Sequence, residues 1–177
     1  MVHRNLEWMQ ALEVEYDASC FDIDPFQPMP GGVGALWPFI AGRFVELPYT
    51  LPQDHTLFVV LNQIDAAIWM RKLDFIANYS GMALVLTHPD YLDSDIRLDA
   101  YRQLLLTARE KMGMWHALPK DVAAWWRQRD ESALERDALN GRYVCGPAAG
   151  RGRGVSIRSI SAGREACAES WVAALPS

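Results

Sequence analysis

Apolar residues along this chain fall either in short uninterrupted runs or at helical spacing, patterns that are typical of buried strands and amphipathic helices. The clearest run, Met82–Leu86, is bounded by Gly81 and by "THP". It predicts a short, fully buried strand that ends at His88. The clearest helical pattern comes next. Its apolar positions are 3, 4, 3 and 4 residues apart, namely Leu98, Tyr101, Leu105, Ala108 and Met112, with Gly113 at the place of a left-handed cap.

Weaker patterns predict the other elements. We expect strands in "VEYDA" (14–18) and "RFVELPYTLP", and helices at His3–Leu12, Asp65–Tyr79 and Pro119–Leu134. The stretch "QDHTLFVVLN" fits a short helix or a strand equally well. The stretch "SCFDIDPFQPMPGGVGALWPF" contains four prolines and three glycines, which marks it as a candidate functional loop.

The alternation of strands and helices favours an α/β fold with a parallel sheet. From about Gly141 the pattern changes, because "RYVCG" and "GVSIRSI" predict two strands around a glycine-rich turn. Two units are therefore predicted. Residues 1–136 form the α/β unit, and residues 137–177 form a small β-rich extension.

Composition and charge narrow the functional classes. The chain has 177 residues, half of them hydrophobic, and a net charge of −5, which gives no basic surface for nucleic acid or an anionic membrane. Charges in "MVHRNLEWMQ" argue against a signal peptide, and no apolar run approaches the ~18 residues of a membrane span. Cys20, Cys145 and Cys167 are odd in number and lack metal-ligand spacing. We therefore expect reduced thiols and a cytoplasmic protein.

Two groups of polar residues are candidates for chemistry. His88 ends the predicted strand, and α/β folds place their chemistry at the carboxyl ends of parallel strands. An imidazole there can act as acid, base or metal ligand, or it can simply cap the next helix. Asp22 and Asp24, in "FDIDP", could bind a divalent cation or orient a histidine. Asp24 before Pro25 also fits an ordinary turn.

The remaining candidates, apart from Trp37, have structural explanations. Asp54 and His55, in "PQDH", are adjacent and should point in different directions, so helix capping by Asp54 is favoured over metal binding. Trp37, in the proline-glycine loop, is a candidate sugar-stacking residue, whereas Trp69 and Trp125 fall on apolar helix faces. "GPAAGRGRGVSI" lacks the ending of a phosphate-binding loop. Neither a Gly-x-Ser-x-Gly nor a His-Glu-x-x-His motif occurs.

Four segments taken in order resemble a known enzyme family. They are "HRNLEWMQALEVEYDASCFDIDPFQPMPGG", "FVELPYTLPQDHTLF", "GMALVLTHPDYL" and "LPKDVAAWWRQR". The series, from about Arg4 to Arg129, is similar to the later part of a polysaccharide deacetylase of the NodB-homology, carbohydrate esterase family 4 type. The resemblance implies an incomplete (β/α) barrel and metal-dependent hydrolysis of an N-acyl amide.

The resemblance also implies roles for particular residues. "LVLTHPDY" matches the family's late-strand histidine motif, so His88 is expected to be the general acid that protonates the leaving amine. Asp22 or Asp24 is expected as its carboxylate partner, which would keep the imidazole charged. Trp37, Asp90 and Tyr91 are expected to contact the substrate, an N-acyl carbohydrate or a small cyclic amide.

The chain departs from the family where the metal is concerned. The family's Asp-Asp and His-x-x-x-His motifs, which carry the metal ligands and the catalytic base, are absent. No metal ligand is assigned in this chain, and a divalent metal such as zinc is expected only if a preceding segment supplies its site. A barrel of this kind takes about 200 to 250 residues. We therefore expect a carboxyl-terminal fragment that is inactive alone.

Two alternatives stay open. The first is a non-catalytic domain of the same origin that binds a saccharide through Trp37. It could instead bind a partner chain through an exposed sheet edge, and that partner would be a second copy of this chain or a complementary amino-terminal fragment. The second is a new metal site formed by His55, His88 and one of Asp22 and Asp24.

Overall fold

The computed structural model describes residues 9–23, 32–136, 143–147 and 170–174. Within these ranges the strands are β1 (Tyr16–Asp17), β2 (Phe39–Ala41), β3 (Phe44–Glu46), β4 (Met82–Val85), β5 (Met114–His116), β6 (Ser132–Arg136), β7 (Tyr143–Pro147) and β8 (Ser170–Ala174). The α-helices are α1 (Ala67–Asn78), α2 (Asp95–Glu110) and α3 (Pro119–Asp130). A π-helix covers His55–Val60 and a 3-10 turn covers Pro89–Tyr91. No helix in the described ranges has the length and apolar character needed to cross a membrane.

Strands β1, β2 and β3 form a small sheet with β3 in the middle. β1 runs parallel to β3, with Tyr16 opposite Val45, and β2 runs antiparallel to β3. Beyond β3 the chain continues to β4, where the amides of Thr50 and Leu51 each donate to the carbonyl of Leu84 at 3.0 Å. The first sheet is therefore linked directly to β4.

The hydroxyl of Thr50 strengthens this link. It donates to the carbonyl of Met82 at 2.6 Å and accepts from the amide of Leu84 at 3.1 Å. Backbone groups in a buried strand need hydrogen-bond partners. One threonine side chain thus supplies partners that a neighbouring strand would otherwise provide.

Strand β4 also belongs to a second sheet, in which β8 lies between β4 and β5 and runs parallel to both. β6 and β7 form a separate antiparallel pair, with Ser132 opposite Pro147. These pairings join residues on both sides of the predicted boundary at 136/137, because β7 and β8 each pair with strands that precede it.

Helices cover both faces of the sheet around β4. Ala83 and Val85 pack in a hydrophobic cluster with residues of α1 and α2. Met82 and Leu84 point to the opposite face and pack in a cluster that includes Val122 of α3. This mixed α/β arrangement agrees with the predicted class. A (β/α) barrel keeps its helices on the outside, and the described residues show no barrel.

The three helices predicted after residue 64 are confirmed in kind, with one change of buried face, and the last of them ends at Asp130 rather than near Leu134. Asp65 helps to start α1 as expected, since its carboxylate accepts from the amide of Ala67 at 2.9 Å. α2 buries Ala100, Leu104 and Ala108. Most of the apolar residues that the sequence predicted for the buried side lie elsewhere, because Leu98, Leu105 and Met112 are exposed. Small alanines allow the helix to approach the sheet closely, which apolar spacing alone does not reveal.

The residues that end and connect the helices partly differ from expectation. Ser80, with φ 52°, takes the left-handed conformation after α1, while Gly113, with φ 79°, does so where predicted. A Cβ atom on Gly81 would lie 3.1 Å from both the Leu36 backbone and the Ile76 side chain, so Gly81 provides space. "QDHTLFVVLN" proves to be helical. Most of the predicted helix His3–Leu12 and all of "GVSIRSI" lie outside the described residues.

Candidate functional site

His88 lies just beyond the carboxyl end of β4. The four residues of β4 are all buried, as predicted, and Leu86 and Thr87 then lead to His88, whose backbone is still extended. Pro89 starts the 3-10 turn, and the amide of Tyr91 donates to the carbonyl of His88 at 3.1 Å. The proline therefore turns the chain away immediately after the imidazole has been placed at the end of the strand.

Asp54 reaches the same place from the segment that follows β3. Its amide donates to the carbonyl of Leu86 at 3.4 Å, and the indole of the buried Trp69 donates to the carbonyl of Pro52 at 2.6 Å. These two bonds fix the segment against β4 on one side and against α1 on the other. The side chain of Asp54 is fully buried, with an exposed fraction of 0%.

The buried carboxylate of Asp54 accepts three hydrogen bonds. Oδ1 accepts from the amide of His55 at 2.8 Å and pairs with Nδ1 of His88 at 2.8 Å. Oδ2 accepts from the amide of His88. A buried carboxylate is costly unless such donors compensate its lost hydration. Both the backbone and the ring of His88 are therefore held by one side chain.

The imidazole of His88 remains accessible. Its side chain is 42% exposed, although its partner Asp54 is buried. Because a carboxylate only accepts hydrogen bonds, the pairing places a proton on Nδ1. Nε2 makes no hydrogen bond to any residue in the described ranges. This nitrogen is free to give a proton to a ligand, or to take one from it, at the surface.

Two aromatic rings lie beside the Asp54–His88 pair. The ring of Tyr91 is 5.4 Å from that of His88, centroid to centroid, and nearly perpendicular to it at 79°. The ring of His55 is 5.0 Å from that of Tyr91. His55 opens the π-helix, and such helices occur often at functional sites.

The other predicted site residues are only partly brought together. Asp90 is exposed on the 3-10 turn next to His88, and Tyr91 contacts the imidazole ring. Asp22 is not the partner of His88. Its carboxylate accepts from Nζ of Lys72 on α1 at 2.6 Å, while Asp54 occupies the partner position. Asp24 lies outside the described residues.

Trp37 lies at the other end of β4. Its indole donates to the carbonyl of Ser80 at 2.9 Å, and the neighbouring Leu36 carbonyl accepts from the amide of Met82, the first residue of the strand. His88 follows the last residue of the same strand. Residues in strands are spaced about 3.3 Å apart, so Trp37 and His88 lie at opposite ends of β4.

The described residues do not provide a metal site. No group of three or more histidine, cysteine, aspartate or glutamate side chains within them is arranged to hold a metal ion. Nδ1 of His88 is already bonded to Asp54, and Asp22 is bonded to Lys72. The described side chains therefore do not fit the divalent metal that the family resemblance implies, and they do not support a new site built from His55, His88 and Asp22.

A second fully buried carboxyl group lies on β3. Glu46 accepts from the amide of Cys20 at 2.7 Å through Oε1, and no residue in the described part of the chain bonds to Oε2. Burial, together with the nearby charge of Asp17, raises the pKa of Glu46 to about 7, although the bond from Cys20 lowers it. Burial and then Glu46 raise the pKa of the Cys20 thiol to about 12.

Sequence reasoning missed the role of Asp54 as the partner of His88. The cap role predicted for Asp54 is confirmed in part, because it precedes the π-helix and accepts from the amide of His55. The pairing itself joins residues 34 positions apart. A proline-bounded extended segment before "QDH" was the available signal, but its alignment with β4 depends on tertiary contacts.

Comparisons with known proteins add no assignment. A scan against protein-family models and searches of curated proteins and of solved structures found no match.

Proposed function

We propose that the Asp54–His88 pair is the proton-transfer part of a hydrolase site for the amide bond of an N-acyl carbohydrate. The observation that carries the proposal is a fully buried carboxylate bonded to Nδ1 of an exposed imidazole at the carboxyl end of a parallel strand. General acids and bases of this kind are positioned by a second group that fixes their tautomer. The sequence resemblance to polysaccharide deacetylases supplies the substrate class.

The proposed step uses both nitrogens of His88. Asp54 holds the proton on Nδ1 and stabilises positive charge on the ring. The protonated ring acts after hydroxide, formed from water by a base that the larger catalytic unit supplies, has added to the acyl carbon. Nε2 then gives its proton to the nitrogen of this tetrahedral adduct as the C–N bond breaks, so that the sugar leaves as a neutral amine, the acyl group as a carboxylic acid, and the imidazole is left neutral. Asp90 and Tyr91, on the turn that follows, are the nearest candidates for contacts with the sugar.

The proposal is limited to proton donation and substrate contact. The described residues provide neither a group of metal ligands nor an assigned base for activating water. We therefore expect the chain alone to bind N-acyl saccharides without measurable amide turnover, and we propose that it acts as part of a larger catalytic unit. The odd number of cysteines supports a cytoplasmic setting.

A binding experiment with matched ligands tests this proposal. The imidazole signals of His88 are followed by NMR during titration with N-acetylglucosamine oligomers and, separately, with glucose oligomers of equal length. We expect the N-acetylated ligand alone to shift the signals of His88, while those of the exposed His116 on β5 stay unchanged. Equal shifts with both ligands, or no shift of His88, would exclude an N-acyl site at this pair.

A second candidate function is non-catalytic saccharide binding at the other end of β4, near its first residue. It is favoured by three exposed aromatic residues, Trp37, Phe75 and Tyr79. The ring of Phe75, on α1, lies 4.8 Å from that of Tyr79, the residue after the helix, and the indole of Trp37 is bonded to the residue after Tyr79. Aromatic faces of this kind can stack on sugar rings.

Paired variants separate the two candidates. If His88→Ala removes oligosaccharide binding and Trp37→Ala leaves it intact, the ligand occupies the Asp54–His88 site. If Trp37→Ala removes binding and His88→Ala leaves it intact, the ligand binds at Trp37, Phe75 and Tyr79, which would favour a non-catalytic protein.

A further inference from the structure

The packing of Tyr91 suggests a role that sequence position alone does not assign. Its amide closes the turn onto the carbonyl of His88, and its ring meets the His88 imidazole at 79° and 5.4 Å. The same ring lies 5.0 Å from that of His55, whose amide donates to the carboxylate that holds His88. Three rings are thus grouped around one buried carboxylate.

We propose that Tyr91 is a positioning residue whose ring holds the His88 imidazole against Asp54 and, together with the ring of His55, keeps water away from their hydrogen bond. The proposal rests on the proposed function for its purpose, because positioning matters only if His88 transfers a proton. It does not depend on which substrate is bound.

Two physical considerations support this role. The torsion that rotates an imidazole about its Cβ–Cγ bond has broad energy wells, so one hydrogen bond on an exposed side chain leaves the ring loosely fixed. An edge-to-face aromatic contact restricts that rotation. A hydrogen bond between charged groups is also stronger where water is excluded. Asp54 is fully buried although its partner His88 is 42% exposed, which shows that neighbouring groups cover the carboxylate.

The alternative role for Tyr91 is a substrate contact through its hydroxyl group. That hydroxyl makes no hydrogen bond to another residue in the described ranges. The two roles depend on different atoms, since positioning requires the ring and a polar substrate contact requires the oxygen. Removing them separately therefore distinguishes the roles.

The test measures the proton on Nδ1 of His88 in the full chain without ligand. In the wild-type protein this proton should give a resolved downfield NMR signal that is protected from exchange with water. Tyr91→Phe keeps the ring and should keep the signal. Tyr91→Leu keeps apolar bulk without the ring, and exchange of the proton should rise by about tenfold or more as water gains access. Tyr79 is also exposed but lies near the start of β4, whereas His88 follows the end of that strand. Tyr79→Leu is therefore the matched control and should leave the exchange of the Nδ1 proton unchanged.

The outcomes that overturn the proposal are distinct. An unchanged signal in Tyr91→Leu would show that the ring is unnecessary, and equal loss in Tyr91→Phe and Tyr91→Leu would assign the effect to the hydroxyl. If Tyr91→Leu does not fold, magnetisation transfer between the Tyr91 ring and the Nδ1 proton decides: its presence supports the contact and its absence overturns it. Failure of the N-acyl proposal would instead leave this signal intact and abolish only the ligand-induced shifts.

Discussion

Two carboxyl groups of this protein, Asp54 and Glu46, are equally buried but differently surrounded. Both have an exposed fraction of 0%. Asp54 accepts three hydrogen bonds, two from backbone amides and one from the ring of His88. Glu46 accepts from the amide of Cys20 through Oε1, and its second oxygen has no partner among the described residues.

Burial raises the pKa of a carboxyl group, and hydrogen bonds donated to its oxygens oppose that effect. Donors around Asp54 replace the water that a carboxylate loses on burial. At Glu46, burial first and then the nearby charge of Asp17 raise the pKa to about 7, although the hydrogen bond from Cys20 lowers it. A protonated Glu46 can donate to Asp17, which two carboxylates cannot do for each other. Asp54 thus holds the ring of His88 through its hydrogen bonds, whereas the raised pKa of Glu46 favours its neutral form below about pH 7.

The largest expected effect is that of removing the Asp54 carboxylate. Asp54→Ala leaves the amides of His55 and His88 and the ring nitrogen Nδ1 without their acceptor. We expect a loss of about 3 to 5 kcal/mol in unfolding free energy, as when one partner of a buried charged pair is removed. Urea denaturation measures it.

Asp74→Ala is the matched control for this variant. Asp74 pairs with Lys111 but is largely exposed, so its removal should cost less than about 1 kcal/mol. Similar losses for the two variants would contradict the distinction between a buried, compensated carboxylate and a surface one.

The next effect is a pH dependence of stability that Glu46 causes. The pKa of Glu46 is raised from 4.5 to about 7 in the folded protein. Between these values the folded chain binds more protons at this site than the unfolded chain does. The unfolding free energy should therefore fall as pH rises from about 4.5 through 7. The shift corresponds to about 3 kcal/mol.

Glu46→Gln isolates this contribution. The amide side chain does not titrate in this range and can still donate a hydrogen bond towards Asp17. Urea denaturation at several pH values should show the decline in the wild-type protein and a flatter profile in the variant. Parallel profiles would mean that Glu46 is ionised in the folded protein throughout, contrary to the comparison with Asp54.

A smaller effect is expected at Thr50, which lies on the segment between the two carboxyl groups. Thr50→Val keeps the shape of the side chain but removes the hydroxyl that bonds the carbonyl of Met82 and the amide of Leu84. Two buried backbone groups lose their partner, so we expect a loss of about 1 to 3 kcal/mol in unfolding free energy. Thr50→Ser, which retains the hydroxyl, should lose less, and a larger loss for Ser than for Val would exclude a hydrogen-bonding role.

Local sequence patterns predicted the elements that carry the site better than the contacts between them. The buried strand before His88, the turn at Pro89 and the helices α1 and α3 follow from apolar runs, capping residues and proline, which act within a few residues. The predicted (β/α) barrel was not observed in the described residues. Barrel closure depends on which strands pair over long sequence separations, and apolar spacing does not encode that choice.

The contacts within the candidate site were also harder to predict from the sequence than its elements were. His88 was predicted from its position at the end of a strand, but Asp22 or Asp24 was expected where Asp54 is found. The choice between these carboxylates depends on how the segment after β3 aligns with β4, and that alignment is set by bonds such as those from Thr50 to Leu84. Trp37 was expected to contact the substrate because it lies in the proline-glycine loop, but it is bonded near the start of β4, whereas His88 follows the end of that strand.

The smallest expected effect is that of Glu46→Gln on the reactivity of the buried Cys20 thiol, which tests whether burial or the charge of Glu46 suppresses the thiolate. The pKa of the Cys20 thiol is raised from 9.0 to about 12, by burial first and by Glu46 second. Such a shift lowers the reactive thiolate fraction by about a thousandfold. We therefore expect iodoacetamide to label Cys20 far more slowly in the folded chain than in urea, as followed by peptide mass spectrometry. Because burial is the larger cause, Glu46→Gln should change the folded-state rate by only a few-fold; labelling close to the unfolded rate in that variant would mean that the charge of Glu46, and not burial, suppresses the thiolate.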